Sequence, residues 1–148
     1  MDFNSKLMKM FHKYPPIVKT FGMKLSFDDD NHAIIALPYN PNLDHGEGAI
    51  HGGVIATLLD TAGFFTSAVA VDGMVTTSEM SFHLLRRAKK VKLIAMGDVL
   101  KMGKRQVVAE MNCKDENGNL IAHGTGTFLI MGSKEELFKK IELYDKSR

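Results

Sequence analysis

The segment from Val54 to Ala70 is a long uncharged stretch that contains a single carboxylate, Asp60. Its apolar residues fall on one stripe when the chain turns by roughly 100° per residue, as in an α-helix. They are Val54, Ile55, Leu58, Ala62, Phe65 and Val69. The opposite side carries Asp60 without any Lys, Arg or Glu, among Ala56, Thr57, Gly63, Phe64 and Ser67. A helix that is uncharged all round is normally covered all round, so the pattern predicts a core helix with Asp60 buried or in a cleft.

The start of this helix carries a second informative pattern, His51-Gly52-Gly53. Free N–H groups at a helix N-terminus, which glycine leaves approachable, can bind a polarised carbonyl or a developing oxyanion. Within one helix, however, Asp60 lies roughly 13 Å from His51, too far to serve the same substrate atom. Either Asp60 is a structural carboxylate unrelated to the helix start, or the two meet across subunits.

The remaining patterns predict one α+β domain over residues 1–148, in which strands surround the long helix. A helix over Asn4–Lys13, ended by Tyr14-Pro15-Pro16, makes residues 1–16 an N-terminal lid or packing element. A helical tail within residues 133–148 begins at the capping box formed by Ser133 and Glu136. The predicted strands are Phe21–Phe27, Ala33–Leu37, Val75–Leu85, Val91–Leu100, Gln106–Cys113 and Leu120–Met131. Their short connections predict antiparallel neighbours.

Composition excludes several classes of protein and site. The single cysteine, Cys113, rules out an internal disulfide and a cysteine-based metal centre. The N-terminus lacks the apolar run of a signal peptide, and we expect a cytoplasmic protein without a membrane partner. A net charge of +2 gives no case for nucleic acid as a partner. We predict no metal, since the other candidate ligands show no metal-binding spacing: His83, His123, Glu79 and Asp98.

Several segments together resemble one family. His45–Gly53 followed by Leu58–Ala62 resembles the HGG-and-aspartate signature of hotdog-fold acyl-CoA thioesterases of the phenylacetate-degradation (PaaI-like) type. The likeness continues through Thr76–Phe82, Arg86–Lys89, Gly103–Arg105 and Gly118–Phe128. It implies a hotdog fold, an antiparallel sheet of about six strands wrapped around one long helix. It also implies a homodimer with sheets joined edge to edge, or a dimer of such dimers, with active sites shared between subunits.

The resemblance assigns roles to individual residues. Asp60 acts on the thioester as general base or nucleophile, while the N–H of Gly52 polarises the carbonyl. Thr77 matches a hydroxyl that holds the attacking water in some relatives, although an ordinary strand threonine is the alternative. The family commonly has asparagine six residues before His51, where this chain has His45; Asn42 is the other candidate for that role.

Further residues are implied to bind the substrate. His51 and Gly53 shape the helix start, and His51 is favoured as a structural residue over an acid–base catalyst. Phe64 is a candidate for the acyl pocket. The basic turn with Arg86, Arg87 and Lys89 suits the phosphates of coenzyme A, although solvated turns are often basic too. No cofactor is implied, because coenzyme A enters as part of the substrate.

The sequence therefore predicts an acyl-CoA thioesterase that releases a free acid and coenzyme A. Two alternatives share the fold: a non-catalytic acyl-CoA binding or sensing module, and a dehydratase of hydroxyacyl thioesters. No DNA-reading segment supports a sensor, and binding alone does not require a carboxylate at Asp60. A dehydratase would use a histidine, such as His45 or His51, with an acidic residue on the long helix.

Overall fold

The long helix around Asp60 lies against one face of a six-stranded antiparallel sheet in the computed structural model, which describes residues 1–148. The helices are α1 (Phe3–Lys13), α2 (Pro16–Phe21), α3 (Gly52–Val71) and α4 (Lys134–Ser147). The strands are β1 (Lys24–Phe27), β2 (Ala33–Leu37), β3 (Gly73–Leu84), β4 (Leu93–Met102), β5 (Gln106–Asp115) and β6 (Leu120–Ser133). A short 3-10 helix at Pro41–Leu43 precedes α3. This is the α+β arrangement that the sequence predicts.

The strand order is β1-β2-β4-β5-β6-β3, so one of the three strand pairs expected from short turns is wrong. The short turns after β4 and β5 do join antiparallel neighbours. The basic turn after β3 does not, because β3 pairs with β6 and stands at the edge of the sheet. Ala88 in this connection is buried, and its carbonyl accepts the N–H of Ile50 at 2.9 Å. These contacts anchor the turn at the end of the sheet, where the chain crosses from β3 to β4.

Small residues set how closely α3 approaches the sheet. A Cβ on Gly63 would lie 2.6 Å from Phe128 Cζ and 2.8 Å from Met111 Sδ, so a larger residue there would displace these two buried side chains. Gly63 and Ser67, which the helical pattern places on the Asp60 side, are instead buried, while Phe65 and Val69 are only half-buried. The helix α3 was also expected to be covered on all sides, but one chain leaves part of its surface uncovered. Ala56, Thr57, Asp60 and Phe64 form a half-buried face.

The N-terminal region differs from the prediction at one helix. α1 forms as expected and buries Leu7 and Phe11. The predicted strand Phe21–Phe27, however, starts only at Lys24, because the preceding residues form α2. Pro16 stands in the first turn of α2, where a missing N–H costs nothing, and Gly22 ends the helix with a left-handed φ of 83°.

The C-terminal helix begins as predicted, with Ser133 Oγ accepting the N–H of Glu136. Its one buried residue, Leu137, packs with Leu7 and Met74 in a small second core. By length and mean hydropathy, α3 is the one helix that could span a membrane, and half of its most apolar window is buried within the fold.

Candidate active site

Asp60 and Thr77 meet at the half-buried face of α3. Asp60 projects from the middle of the helix, and Thr77 comes from the neighbouring edge strand β3. The hydroxyl of Thr77 donates a hydrogen bond of 2.7 Å to Asp60 Oδ1. The structure therefore brings together two residues that lie far apart in the sequence and that were singled out separately.

A mostly apolar cleft of about 200 Å³ opens beside Asp60. We call it the Asp60 cleft; its lining residues are Phe11, Pro15, Ile17, Val18, Met23, Asp60, Thr61, Phe64 and Phe65. Phe64 thus lies next to the carboxylate, as the acyl-pocket prediction requires. Asp60 is the one ionisable group in this lining.

The start of α3 presents one free backbone donor. His51 caps the helix, and its Nδ1 accepts the N–H of Gly53 at 2.8 Å. The N–H of Gly52 has no partner in the chain. The capping bond agrees with the structural role favoured for His51, and it leaves Gly52 rather than Gly53 with an N–H that can bind a substrate. A Cβ on Gly52 would also lie 2.6 Å from Leu84 Cδ1.

A second depression, of about 410 Å³, surrounds Gly52. We call it the Gly52 cleft; its lining residues are His45, Ala49, Ile50, Gly52, Ile55, Leu84, Leu85, Arg86, Arg87 and Ala88. His45 Nδ1 accepts the N–H of Glu47 at 3.0 Å, so the neutral imidazole carries its proton on Nε2. Asn42 lies in the exposed 3-10 helix and does not line the cleft. Of these two candidates, His45 is the one that lines the Gly52 cleft.

The basic turn contributes two of its three predicted cations to the Gly52 cleft. Arg86 and Arg87 line it, whereas Lys89 is exposed outside it. Arg87 also forms an ion pair with Glu47 across the cleft rim. Glu47 thus contacts both His45 and Arg87, a role that nothing in the sequence pattern indicated.

The two clefts have no lining residue in common. Eight residues of helix separate Gly52 from Asp60, which corresponds to about 12 Å at 1.5 Å per residue. The free N–H and the carboxylate therefore lie in different depressions of the same chain.

Other reactive side chains lie outside both clefts. His123 pairs with Glu110 at 2.7 Å, and Asp98 contacts His32 at 3.2 Å. No group of three or more His, Cys, Asp or Glu residues is placed to hold a metal ion. Burial raises the pKa of the Cys113 thiol to about 12, which makes it a poor nucleophile.

Sequence reasoning missed the contribution of the N-terminal region to the Asp60 cleft. Phe11, Pro15, Ile17, Val18 and Met23 all line it, and they come from α1, α2 and their connections. Pro16 and Gly22 are compatible with a short helix between them, and this signal could have identified α2. No local signal places that helix beside Asp60, since the contact joins distant parts of the chain.

Comparison with known proteins identifies the family. The model of the thioesterase superfamily matches residues 47–122, about half of the chain and both the Gly52 and Asp60 positions. The chain belongs to the thioesterase superfamily. A protein of Saccharolobus solfataricus whose name gives it as a candidate esterase is 28% identical over 127 residues, covering 85% of this chain and 91% of its own. A similarly named protein of Halobacterium salinarum is 30% identical over 127 residues, covering 77% and 83%.

Solved structures confirm the hotdog fold of this thioesterase-superfamily member. The PaaI protein from the phenylacetic acid degradation operon of E. coli matches with a TM-score of 0.78 and 20% identity, over 88% of this chain and 93% of that one. A Streptococcus mutans protein solved with acetyl CoA matches with a TM-score of 0.69 and 22% identity, over 76% and 90%. The predicted resemblance to hotdog-fold thioesterases is confirmed, with PaaI among the proteins that share the fold. The superfamily makes this chain a hydrolase of the thioesterase or esterase type.

Proposed function

We propose that this thioesterase-superfamily member hydrolyses acyl-CoA thioesters to a free acid and coenzyme A, at sites built from two subunits. The observation that carries the proposal is the division of the site residues. Asp60 and Thr77 lie at an apolar cleft, and the unpaired N–H of Gly52 lies in a separate cleft with His45 and two arginines. Each cleft holds half of what thioester hydrolysis needs.

Asp60 supplies the base or the nucleophile. Thr77 donates its hydroxyl proton to Oδ1, which fixes the carboxylate and leaves Oδ2 able to accept a proton from water or to attack the carbonyl carbon. Because that proton is engaged, the Thr77 oxygen can accept a hydrogen bond from the attacking water. A thiolate is a good leaving group, so the carboxylate needs only to activate and aim the water.

Gly52 and His45 supply the donors to the carbonyl oxygen. The free N–H of Gly52 and the Nε2–H of His45 border the same cleft. Hydrogen bonds from both would stabilise the negative charge that develops on the thioester oxygen. In this role the imidazole N–H replaces the amide N–H of the asparagine that is common in the family, which explains how the chain can function with His45 at that position.

A second copy of the chain would unite the two halves. The half-buried face of α3 around Asp60 carries no basic residue, and β3 is a long edge strand with one unpaired side. Pairing β3 with the β3 of a second copy would cover both features around a twofold axis. We propose this homodimer, alone or doubled into a tetramer, as the active form.

Coenzyme A would then bind at the Gly52 cleft. Arg86 and Arg87 in its lining, with Lys89 beyond the rim, match the charge of the phosphates. The S. mutans protein of the same fold, solved with acetyl CoA, supports a ligand of this kind.

The direct test measures thiol release from a panel of acetyl-, hexanoyl-, decanoyl-, palmitoyl- and phenylacetyl-CoA, with and without EDTA. We expect turnover that the chelator does not lower. Asp60→Asn should lower kcat by at least about 10²-fold, as for loss of a general base. The matched control is Asp72→Asn, which changes an exposed carboxylate at the C-terminal end of the helix.

Three outcomes would contradict the proposal. Inertness toward the whole panel with retained binding indicates a sensing module. Formation of an enoyl product from a 3-hydroxyacyl-CoA, added to the panel for this purpose, indicates a dehydratase. Loss of activity in EDTA that a divalent ion restores indicates a metal mechanism.

A further inference from the structure

The N-terminal region closes one side of the Asp60 cleft. The chain leaves α1 at Tyr14, turns through Pro15 and forms α2, which ends at the left-handed Gly22. We call the segment Pro15–Met23 the α1–α2 corner. Val18 and Met23 of this corner are 4% and 3% exposed, so they are fixed in the core, whereas Ile17 is 47% exposed at the mouth of the cleft.

The opposite wall is aromatic and equally well fixed. Phe64 and Phe65 meet edge to face with ring centroids 5.1 Å apart, and Phe65 contacts Phe11 of α1 in the same way at 5.3 Å. These contacts hold the rings in place without filling the cleft, which keeps a volume of about 200 Å³.

The polarity of the cleft selects the part of a substrate that can enter it. The one other polar side chain in the lining, Thr61, donates its hydroxyl to the carbonyl of Thr57 at 2.6 Å. No cation lines the cleft, so phosphates would find neither charge nor a free donor there beside the carboxylate of Asp60. An apolar acyl or aryl group, with its thioester carbon at Asp60, fits this environment.

The volume gives the size of group that the cleft of one chain can hold. A methylene is similar in size to a water molecule, which occupies about 30 Å³ in the liquid. The cleft therefore holds about seven such groups, which corresponds to a straight chain of about six to eight carbons or a phenylacetyl group. Longer chains would have to leave past Ile17 into solvent.

We propose that the α1–α2 corner limits the length of the acyl group that the Asp60 cleft accepts, and that Ile17 at the mouth of the cleft is a specificity-determining residue. This inference rests on the proposed acyl-CoA hydrolysis, because it assigns the substrate class of the same site. It makes the protein selective for medium-length aliphatic or single-ring aryl thioesters.

The test compares kcat/KM along a series of straight-chain acyl-CoAs from two to sixteen carbons. For the wild type we expect a rise of about threefold to fourfold per buried methylene, ending at about eight carbons. Ile17→Trp narrows the mouth and should lower the octanoyl-to-acetyl ratio of kcat/KM at least about tenfold, equivalent to losing about two methylenes. Ile17→Ala widens the mouth and should move the preferred length to longer chains.

Controls separate specificity from folding. Leu143→Trp adds the same ring at a leucine that is 58% exposed on α4, and it should leave the length profile unchanged. Thermal melting of each variant checks that the fold is retained, and Ile17→Ala gives a shift in the opposite direction that a general loss of stability cannot produce.

A second readout keeps this inference apart from the proposed reaction. Binding of the non-hydrolysable thioethers S-ethyl-CoA and S-octyl-CoA by calorimetry reports the cleft without any turnover. An active enzyme whose kcat/KM does not vary with chain length would overturn the proposed length selection alone. Equal losses of kcat/KM for acetyl- and octanoyl-CoA in Ile17→Trp would do the same. If no thioester is hydrolysed, the proposed reaction fails, and the ratio of thioether affinities in wild type and Ile17→Trp still decides whether the cleft binds acyl chains.

Discussion

A mixed dimer tests whether two subunits share each site. Asp60→Asn removes the proposed base or nucleophile, and His45→Ala removes the proposed imidazole donor from the other cleft. As homodimers, both variants lack one component at every site. We expect each to fall to about a hundredth of wild-type activity, the usual loss for a general base or an oxyanion donor.

The expected recovery follows from the separation of the two clefts within a chain. Because about 12 Å of helix lies between Gly52 and Asp60, a site that uses both must take them from different chains. In a mixed dimer one site then receives both substitutions, and the other receives wild-type Asp60 from one chain and wild-type His45 from its partner. Random pairing makes about half of the dimers mixed, so about a quarter of all sites should be intact.

The assay unfolds equal amounts of the two variants together, refolds them and measures thiol release. Mass spectrometry under native conditions confirms the mixed species. The matched control mixes Asp60→Asn with the double variant Asp60→Asn/His45→Ala, which contains no wild-type Asp60 and should stay inactive. If confirmed mixed dimers are no more active than their parents, the shared site or the role of His45 is wrong. A parallel mixture of Asp60→Asn with Asn42→Ala distinguishes these two explanations. Its mixed dimers are more active than both parent variants only if sites are shared and Asn42, rather than His45, supplies the donor.

Two further predictions concern side-chain hydrogen bonds. Thr77→Val removes the hydrogen bond to Asp60 and should lower kcat about 10-fold or more, the effect of losing a hydrogen bond to a charged group. Thr77→Ser should restore kcat, and Thr76→Val, on the exposed side of β3, should have little effect. Equal losses of kcat at both threonines would mean a general effect on the strand. His32 lies between two carboxylates, and the hydrogen bond to Asp28, opposed in part by burial, raises its pKa above 6.5. The stabilising effect of His32 is complete below pH 6.5 and is lost as the pH rises through the higher pKa of the folded state. His32→Asn should therefore lower the free energy of unfolding more at pH 5.5 than at pH 9. Denaturant titrations that show the same loss at both pH values would contradict this.

The sequence predicted elements whose signal is local. The range of β2 is correct to the residue, and α1, α3 and α4 lie where periodicity and capping placed them. The pairing of β3 with β6 was not predictable in this way, since a short turn normally joins neighbours. Here the buried Ala88 fixes the turn instead, and burial depends on residues that are distant in the sequence.

In the candidate site, too, local signals were predictable from the sequence and contacts between distant residues were not. Asp60 was recognisable because one carboxylate in an uncharged helix needs an explanation. The role expected of Thr77 came only from a resemblance, because threonine is common in strands. The contact of Thr77 with Asp60 depends on how β3 packs against α3. Neither a local pattern nor a resemblance placed the α1–α2 corner beside Asp60, since the cleft brings together residues far apart in the chain.

The surroundings of Asp60 separate it from the ion-paired carboxylates of this protein. Asp28 pairs with His32, Asp72 with Lys134 and Asp145 with Arg148, each within 3.0 Å of a cationic or protonatable nitrogen. Asp60 has a neutral hydroxyl as its hydrogen-bond partner and no cation in its cleft. An ion pair stabilises a carboxylate but opposes the transfer of a proton to it. A carboxylate oriented by one hydroxyl beside an apolar cleft is therefore better suited to accept a proton than one that is held in an ion pair.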